Sequence, residues 1–240
     1  MFTQCELQLG PSFKSNIDSI KEISKSASKL SLETAVPKLP NLDVSYDNTL
    51  KTVQETLNSL GYNFIGIQFY FVDHKAPLRK HFTVAKRMIA YLLPIKCLEA
   101  TILAIYLTHN VKEITRFTLS FTSKFGKMTA RHVVLGIYSN GKFGALGLSR
   151  KPDLMDKPLL FSNLYHLIKE YEDCYRGHGH KLKLVKIGNA IPHEAHIMQG
   201  IPWRGAVFSF GKSTLDSQSI PIIKHGLVIR QSRELIKLRN

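Results

Sequence analysis

The chain is poor in cysteine, in acidic residues and in uninterrupted apolar sequence, and each shortage excludes a class of protein. Its three cysteines, Cys5, Cys97 and Cys174, are odd in number and far apart. They do not form the framework of a disulfide-stabilised secreted domain, so a reduced, cytosolic setting is expected. The first residues lack a basic region followed by an apolar core and a small-residue cleavage site, and no signal peptide is expected.

The most apolar window covers residues 88–108, but it does not predict a membrane span. Pro94, Lys96 and Glu99 interrupt its middle, and charged residues within a bilayer are costly. Two buried core helices explain the window better. With 44% hydrophobic residues over 240 positions, the chain can bury the core of one large domain plus an extension.

Acidic residues are outnumbered by basic ones, 18 to 33, which gives a formal net charge of +15. The basic residues are spread along the chain, and this indicates a partner of opposite sign: nucleic acid, an anionic membrane or an acidic protein segment. Nothing in the pattern of aromatic and basic residues indicates a nucleic-acid module. Candidates for a basic patch beside a cleft are Lys86, Arg87, Lys124, Lys127 and Lys142.

The hydrophobic pattern divides the chain into an N-terminal segment, residues 1–45, and one larger domain, residues 46–240. In the segment, apolar residues recur at helical spacing over residues 12–35, and a proline-marked linker follows. This predicted helix packs on its own domain or docks a partner protein, and the pattern favours neither. The larger domain is expected to have a helical half, about 46–112, and a sheet-rich half, about 113–240.

The periodicities in the larger domain predict an α+β fold without internal repeats. Helices are predicted over residues 47–60, 77–93, 97–108 and 162–175. Strands are predicted over residues 63–72, 117–121, 131–139, 142–149 and 182–187. Residues 188–221 are predicted to be loop, and the tail from residue 222 has weak helical character. The helix over 97–108 is apolar almost all round, which predicts a central, buried position.

The strongest local signal is the Asn140-Gly141 pair, which is typical of a two-residue hairpin turn. Counting outward from this turn in regular register places His132 directly opposite Ser149. Their side chains would then project from one face, roughly 5 Å apart at the backbone. A hydroxyl in this position would orient the imidazole.

Cys97 begins the predicted central helix. Unpaired N–H groups and the positive end of the helix dipole favour a thiolate there, and later an oxyanion. A thiol, an imidazole and an orienting hydroxyl are the parts of a cysteine hydrolase. The order of a helix with Cys, then strands with His and a polar residue, is that of papain-like and transglutaminase-like hydrolases.

Three blocks around these residues closely resemble the vasohibins, which are tubulin tyrosine carboxypeptidases of transglutaminase-like cysteine protease fold. The blocks are Pro94-Ile95-Lys96-Cys97-Leu98-Glu99-Ala100, Arg131-His132-Val133-Val134-Leu135-Gly136 and Gly144-Ala145-Leu146-Gly147-Leu148-Ser149-Arg150. Upstream, Tyr62-Asn63 also fits the family. One departure is Asp73-His74-Lys75, which stands where the family usually has a more basic pair, so contacts to acidic substrate residues are expected to differ.

The resemblance implies a role for each of six residues. Cys97 would be the nucleophile, His132 the general base and acid, and Ser149 the third member of the triad. Tyr62 would help at the oxyanion site, and Lys96 and Arg150 would hold the terminal carboxylate of the substrate. The reaction would be removal of the C-terminal tyrosine of α-tubulin by a cytoplasmic, cytoskeleton-associated enzyme without a cofactor. The family's usual partner, small vasohibin-binding protein, would dock at residues 12–35.

Other interpretations of the same residues remain open. A single Cys at a helix start is most often a small buried hydrophobe. The charge could serve a non-enzymatic, basic microtubule-binding protein, and the same triad would serve a transglutaminase-like acyl transferase that uses an amine in place of water.

Four histidines cluster in the sequence, but their spacing is a poor match to a zinc site, and solvated loop histidines are expected. They are His178, His180, His193 and His196.

Overall fold

The computed structural model describes residues 46–194, 198–211 and 213–237. The predicted N-terminal helix at residues 12–35 and its linker therefore lie outside the described residues. The helices are α1 (Tyr46–Leu60), α2 (Leu78–Tyr91), α3 (Cys97–Leu107), α4 (Leu164–Gly177) and α5 (Ser219–Lys237). The strands are β1 (Thr115–Phe125), β2 (Met128–Ser139), β3 (Lys142–Leu146), β4 (Lys157–Phe161), β5 (Lys181–Ile187) and β6 (Ala206–Ser209).

The described strands form one antiparallel sheet in the order β4-β3-β2-β1-β5-β6. Alternate side chains of β2 belong to two separate hydrophobic cores. Leu135 and Ile137 pack with α1, α2 and α3. Val134 and Tyr138 face the other side, where they pack with α4 and α5. The sheet is therefore covered by helices on both faces, and the α+β class predicted from the sequence is confirmed.

Helix α3 lies where its uniformly apolar sequence predicts. Each residue from Glu99 to Leu107 is buried. Its C-terminal end is fixed to the sheet by the buried guanidinium of Arg116, which donates hydrogen bonds to the carbonyls of Ile105 at 2.7 Å and Pro192 at 2.6 Å. Burial lowers the pKa of Arg116 to about 9. The helix that begins with Cys97 is thus held at both ends, since Glu99 caps its start.

The strand predicted over residues 63–72 is wrong, because the structure gives a loop there. Asn63 folds the loop on itself: its side chain donates to the Ile67 carbonyl at 2.8 Å and accepts from the Ile65 N–H at 3.0 Å. Large apolar side chains of the loop are exposed to solvent; they are Phe64, Ile65, Ile67, Phe69 and Phe71. Alternating apolar residues predicted a strand, but none of the strands in the described part of the chain pairs with this segment.

Two further differences concern the sheet edges. Strand β4 lies in a region without a strand prediction, and β6 lies within residues 188–221, which were predicted to be loop. Both are short edge strands, and their pairing depends on distant partners that local patterns do not reveal. The weak helical signal from residue 222 is confirmed by α5. No helix in the described part of the chain is long and apolar enough to cross a bilayer.

Candidate active site

Cys97 is the first residue of α3, and the local structure of this helix start is built by Glu99. The buried Glu99 carboxylate accepts a hydrogen bond from the Lys96 backbone N–H at 3.2 Å and another from the Gln68 side chain at 3.2 Å. Such a reciprocal cap satisfies a backbone donor that the helix leaves unpaired. The cap therefore fixes the direction in which the Cys97 side chain leaves the helix.

The start of α3, with the thiol of Cys97, lies against strand β2 beyond the end of its pairing with β3. Strand β3 pairs with β2 as far as Leu135 and Leu146. Beyond that point the backbone of Val133 contacts α3: its carbonyl accepts a hydrogen bond from Thr101 Oγ1 at 3.3 Å, and its N–H is directed at the Cys97 sulfur. Since Val133 follows His132 directly, this contact brings the thiol and the imidazole into one cleft.

The imidazole of His132 is held by a backbone carbonyl. Its Nε2 atom lies 2.7 Å from the Leu154 oxygen, so Nε2 carries the proton and donates it to that carbonyl. The ring also lies nearly parallel to Phe121, with ring centroids 6.4 Å apart. Nδ1 is then the ring nitrogen that carries no proton in the neutral imidazole.

The hairpin register predicted from Asn140-Gly141 is confirmed from the Ser139–Lys142 pair to the Leu135–Leu146 pair. The strand predicted to continue to Ser149 ends at Leu146, so the direct pairing of His132 with Ser149 is not formed. The Ser149 Oγ accepts a hydrogen bond from the Lys151 N–H at 3.3 Å. The acceptor of the His132 ring is therefore the Leu154 carbonyl, a group that the residue pattern did not reveal.

The segment that carries Ser149 is held by Gln54, a buried residue of α1. The Gln54 side chain donates to the Gly147 carbonyl at 2.9 Å and accepts from the Gly147 N–H at 3.1 Å. These two hydrogen bonds take the place of those that a neighbouring strand would make to the backbone of Gly147. A side chain at Gly147 would stand 2.8 Å from Val134, so the close approach requires glycine. In the sequence, the feature that indicates this role is a polar residue, Gln54, on the inward face of a helix beside Val53 and Leu57.

Replacement of Gln54 by leucine is expected to lower the free energy of unfolding by about 2–4 kcal/mol, because two buried backbone groups of Gly147 lose their partners. Chemical denaturation monitored by circular dichroism measures this change. Glu55→Leu, on the exposed face of the same helix, is the control and should change stability by about 0.5 kcal/mol or less. Equal effects of the two substitutions would show that the Gln54 contacts contribute nothing specific.

Burial disfavours charge on both reacting groups. Desolvation raises the pKa of the Cys97 thiol, although the Val133 N–H opposes the shift. Desolvation also lowers the pKa of His132 to about 4, against the opposing effect of the Leu154 carbonyl. At neutral pH the resting pair is therefore a thiol and a neutral imidazole. Burial thus opposes the thiolate that the N-terminus of the helix favours.

Tyr62, Lys96 and Arg150 are grouped near the start of α3, outside the residues that line the cleft of Cys97 and His132. Tyr62 forms an isolated parallel bridge with Ile95, which places it next to the start of α3. Burial and the nearby Cys97 raise the pKa of Tyr62, and a hydrogen bond from the Arg150 side chain opposes the increase. The Arg150 guanidinium lies 6.0 Å from the centre of the Tyr62 ring, and Lys96 Nζ donates to the Gly66 carbonyl at 3.4 Å.

Cys97 and His132 open into a cleft of about 680 Å³. Its basic lining residues are His74, Lys75, Arg131, Lys186 and Arg204. None of the described lining residues carries a carboxylate, so the cleft suits an acidic ligand. This set differs from the basic patch proposed from the sequence. Trp203, the single tryptophan of the chain, completes one wall and donates its indole N–H to the His74 carbonyl at 3.0 Å.

The clustered histidines have separate structural partners. His178 binds Asp153, and His180 lies 3.0 Å from the Ser123 hydroxyl. His193 is buried between the carbonyls of His109 and Ile114, so the expectation of a solvated loop residue is wrong for it. His196 lies outside the described residues. Within the described ranges no group of three or more His, Cys, Asp or Glu residues is placed to hold a metal ion.

A thiol at the start of a buried helix that lines one cleft with an imidazole from an antiparallel strand is typical of cysteine hydrolases with transglutaminase-like or papain-like fold. A family model described as Vasohibin matches residues 8–229. The chain therefore belongs to the vasohibin family.

A curated relative is Tubulinyl-Tyr carboxypeptidase 1 of Mus musculus. The two sequences are 40% identical over 181 residues, which is 72% of this chain and 48% of the mouse protein. The chain thus spans about half the length of this relative.

Proposed function

We propose that this chain is a cysteine carboxypeptidase that removes the C-terminal tyrosine of α-tubulin. The observation that carries the proposal is the common cleft of Cys97 and His132, with Lys96 and Arg150 at the same helix start. Membership of the vasohibin family and the name of the mouse relative support the substrate. The tubulin tail is rich in glutamates, which suits the basic lining of the cleft.

The first step is attack of Cys97 on the carbonyl of the penultimate residue. Because the resting pair is neutral, the thiol proton passes to Nδ1 of His132 as the carbon–sulfur bond forms. The resulting imidazolium keeps its Nε2 hydrogen bond to the Leu154 carbonyl, which stabilises the charge. His132 then gives the proton to the departing amine of tyrosine, and it activates water to hydrolyse the thioester.

The oxyanion of each tetrahedral intermediate would be received at the start of α3. The Cys97 backbone N–H is unpaired within the helix, and the Tyr62 hydroxyl, which accepts from Arg150, retains its own proton to donate. One such donor is typically worth about 3 kcal/mol in the transition state. Ser149 is assigned the third place in the triad from the family resemblance, and its effect on His132 would be indirect, because the Leu154 carbonyl holds the ring.

An exopeptidase also needs a cation for the free α-carboxylate of its substrate. Lys96 precedes the nucleophile and Arg150 reaches the Tyr62 ring beside it, so both are assigned to the carboxylate. The proposed substrate implies that the enzyme would act on microtubules in the cytoplasm. Docking of a small vasohibin-binding protein at residues 12–35 is a further proposal, drawn from the family and from the apolar spacing of that segment.

The direct test is incubation of the chain with an acidic peptide that ends in tyrosine, alone and with a vasohibin-binding helix. Mass spectrometry would follow free tyrosine and the shortened peptide, with Cys97→Ala as control. We expect tyrosine release that depends on Cys97. Transfer of the peptide to an added primary amine would instead assign an acyl transferase. Binding to microtubules without any cleavage would leave a non-enzymatic basic protein.

A further inference from the structure

The acceptor of the His132 proton lies in a short turn outside the sheet. This 3-10 turn, Pro152–Leu154, ends with the carbonyl that accepts from Nε2 at 2.7 Å. The tautomer of an imidazole is set by the hydrogen bond of one nitrogen, which decides what the other can do. The position of the Leu154 carbonyl therefore determines whether Nδ1 is free to take the proton of Cys97.

Helix α4 holds this turn from the side away from the cleft. His178, the residue that ends α4, places its Nε2 atom 2.8 and 2.9 Å from the two carboxylate oxygens of Asp153. Tyr171, one of the buried residues of α4, donates its hydroxyl proton to the Met155 carbonyl at 2.7 Å. These two contacts fix the residues immediately before and after Leu154.

We propose that Asp153 and His178 form a positioning pair that acts on the His132 ring through the Leu154 carbonyl. The expected effect on the rate of tyrosine release rests on the proposed function, whereas the expected effect on the tautomer of His132 does not. Three residues of 3-10 helix have few hydrogen bonds of their own, and here the internal ones run from Leu154 N to Lys151 O and from Met155 N to Pro152 O. The turn thus needs an external contact to hold one orientation.

The location of His178 suits this role. Its backbone N–H bonds the Cys174 and Tyr175 carbonyls, so the residue is anchored to the helix end. Its ring Nε2 lies within hydrogen-bond distance of both Asp153 carboxylate oxygens, so one contact links the helix end to the turn. Both side chains are partly exposed, 30% for His178 and 44% for Asp153. Exposed pairs contribute little to global stability, so an effect on the orientation of His132 can be separated from unfolding.

The experiment compares Asp153→Ala with the unchanged chain by two measurements. Nitrogen-15 NMR of histidine-labelled protein at neutral pH reports the tautomer of His132, assigned by loss of its signals in His132→Asn. We expect the Nε2–H form in the unchanged chain and a mixture of tautomers in Asp153→Ala. In tyrosine release, we expect kcat to fall about tenfold while KM and the thermal midpoint stay nearly constant.

Two further variants make the test specific. Asp173→Ala removes a carboxylate from an exposed pair with Arg176 on the same helix, and it should change neither measurement. Asp153→Asn keeps one acceptor oxygen for His178 and should recover most of the rate and of the Nε2–H signal. A wild-type Nε2–H signal that persists in Asp153→Ala would overturn the inference, whether or not the chain releases tyrosine. If the tautomer changes as expected but the unchanged chain releases no tyrosine, the proposed function is contradicted and the positioning pair is not.

Discussion

Cys97→Ala is expected to reduce the rate of tyrosine release by about 10⁴-fold or more, because the substitution removes the nucleophile and leaves only substrate binding and the oxyanion donors. His132→Ala should have a similar effect, since the proposed mechanism passes the thiol proton to the His132 ring. Single-turnover release of tyrosine from an acidic peptide, with circular dichroism to establish folding, measures both losses.

Ser149→Ala is expected to cost less, about tenfold in rate, because the hydroxyl acts on His132 only indirectly, through the Lys151 N–H that it binds. The His132 ring keeps its Leu154 acceptor in this variant, and the Ser149 hydroxyl is bound to the Lys151 N–H. Cys174→Ala is the matched thiol control: its sulfur lies on α4, 3.4 Å from Lys157 Nζ, and its removal should leave the rate almost unchanged. Equal losses in folded Ser149→Ala and Cys97→Ala would contradict this ranking.

The parts of the site that the sequence predicts are those that depend on local signals. An apolar run after Pro94 predicts the buried helix with Cys97 at its start, and Asn140-Gly141 predicts the register of the hairpin that carries His132. Both signals act over a few residues, so the local sequence determines the local structure. They place a thiol and an imidazole on adjacent elements without any knowledge of the tertiary structure.

The remaining parts depend on contacts between distant residues. The acceptor of His132 is a backbone carbonyl, which has no residue identity to recognise, and Gln54 reaches Gly147 across 93 positions of sequence. The loop after Tyr62 has the composition of a strand, but its Asn63 side chain takes the backbone groups that a strand would pair. The protonation of the pair depends on burial, which the helix-dipole argument alone does not include.

This protonation state has a consequence for reactivity. A preformed thiolate would be alkylated rapidly by small electrophiles in the absence of substrate. A buried neutral pair becomes reactive when a bound carbonyl accepts the developing charge. The N-terminus of α3 then stabilises the oxyanion rather than a resting thiolate. In the proposed mechanism the helix dipole would then contribute more to the transition state than to the ground state, and such a difference accelerates a reaction.

An amidated peptide is expected to be a poorer substrate than the free acid by about 10²- to 10³-fold in kcat/KM. The amide removes the charge that Lys96 and Arg150 are proposed to bind, and each charge-assisted contact is worth about 1.5–3 kcal/mol, less where solvent screens it. Tyrosine or tyrosinamide release, measured for two peptides that differ only at this group, gives the ratio. Similar cleavage of both peptides would remove the exopeptidase assignment.

Arg150→Gln tests which residue recognises the carboxylate. The variant should slow cleavage of the free acid and leave the amide nearly unchanged, because a residue that binds the carboxylate has no partner in the amide. Arg204→Gln is the control: Arg204 lines the cleft with Cys97, and its loss should slow both peptides by the same factor through weaker attraction of the acidic tail. A uniform loss in Arg150→Gln as well would assign Arg150 to general attraction or to the support of Tyr62, and would leave Lys96 as the carboxylate-binding residue.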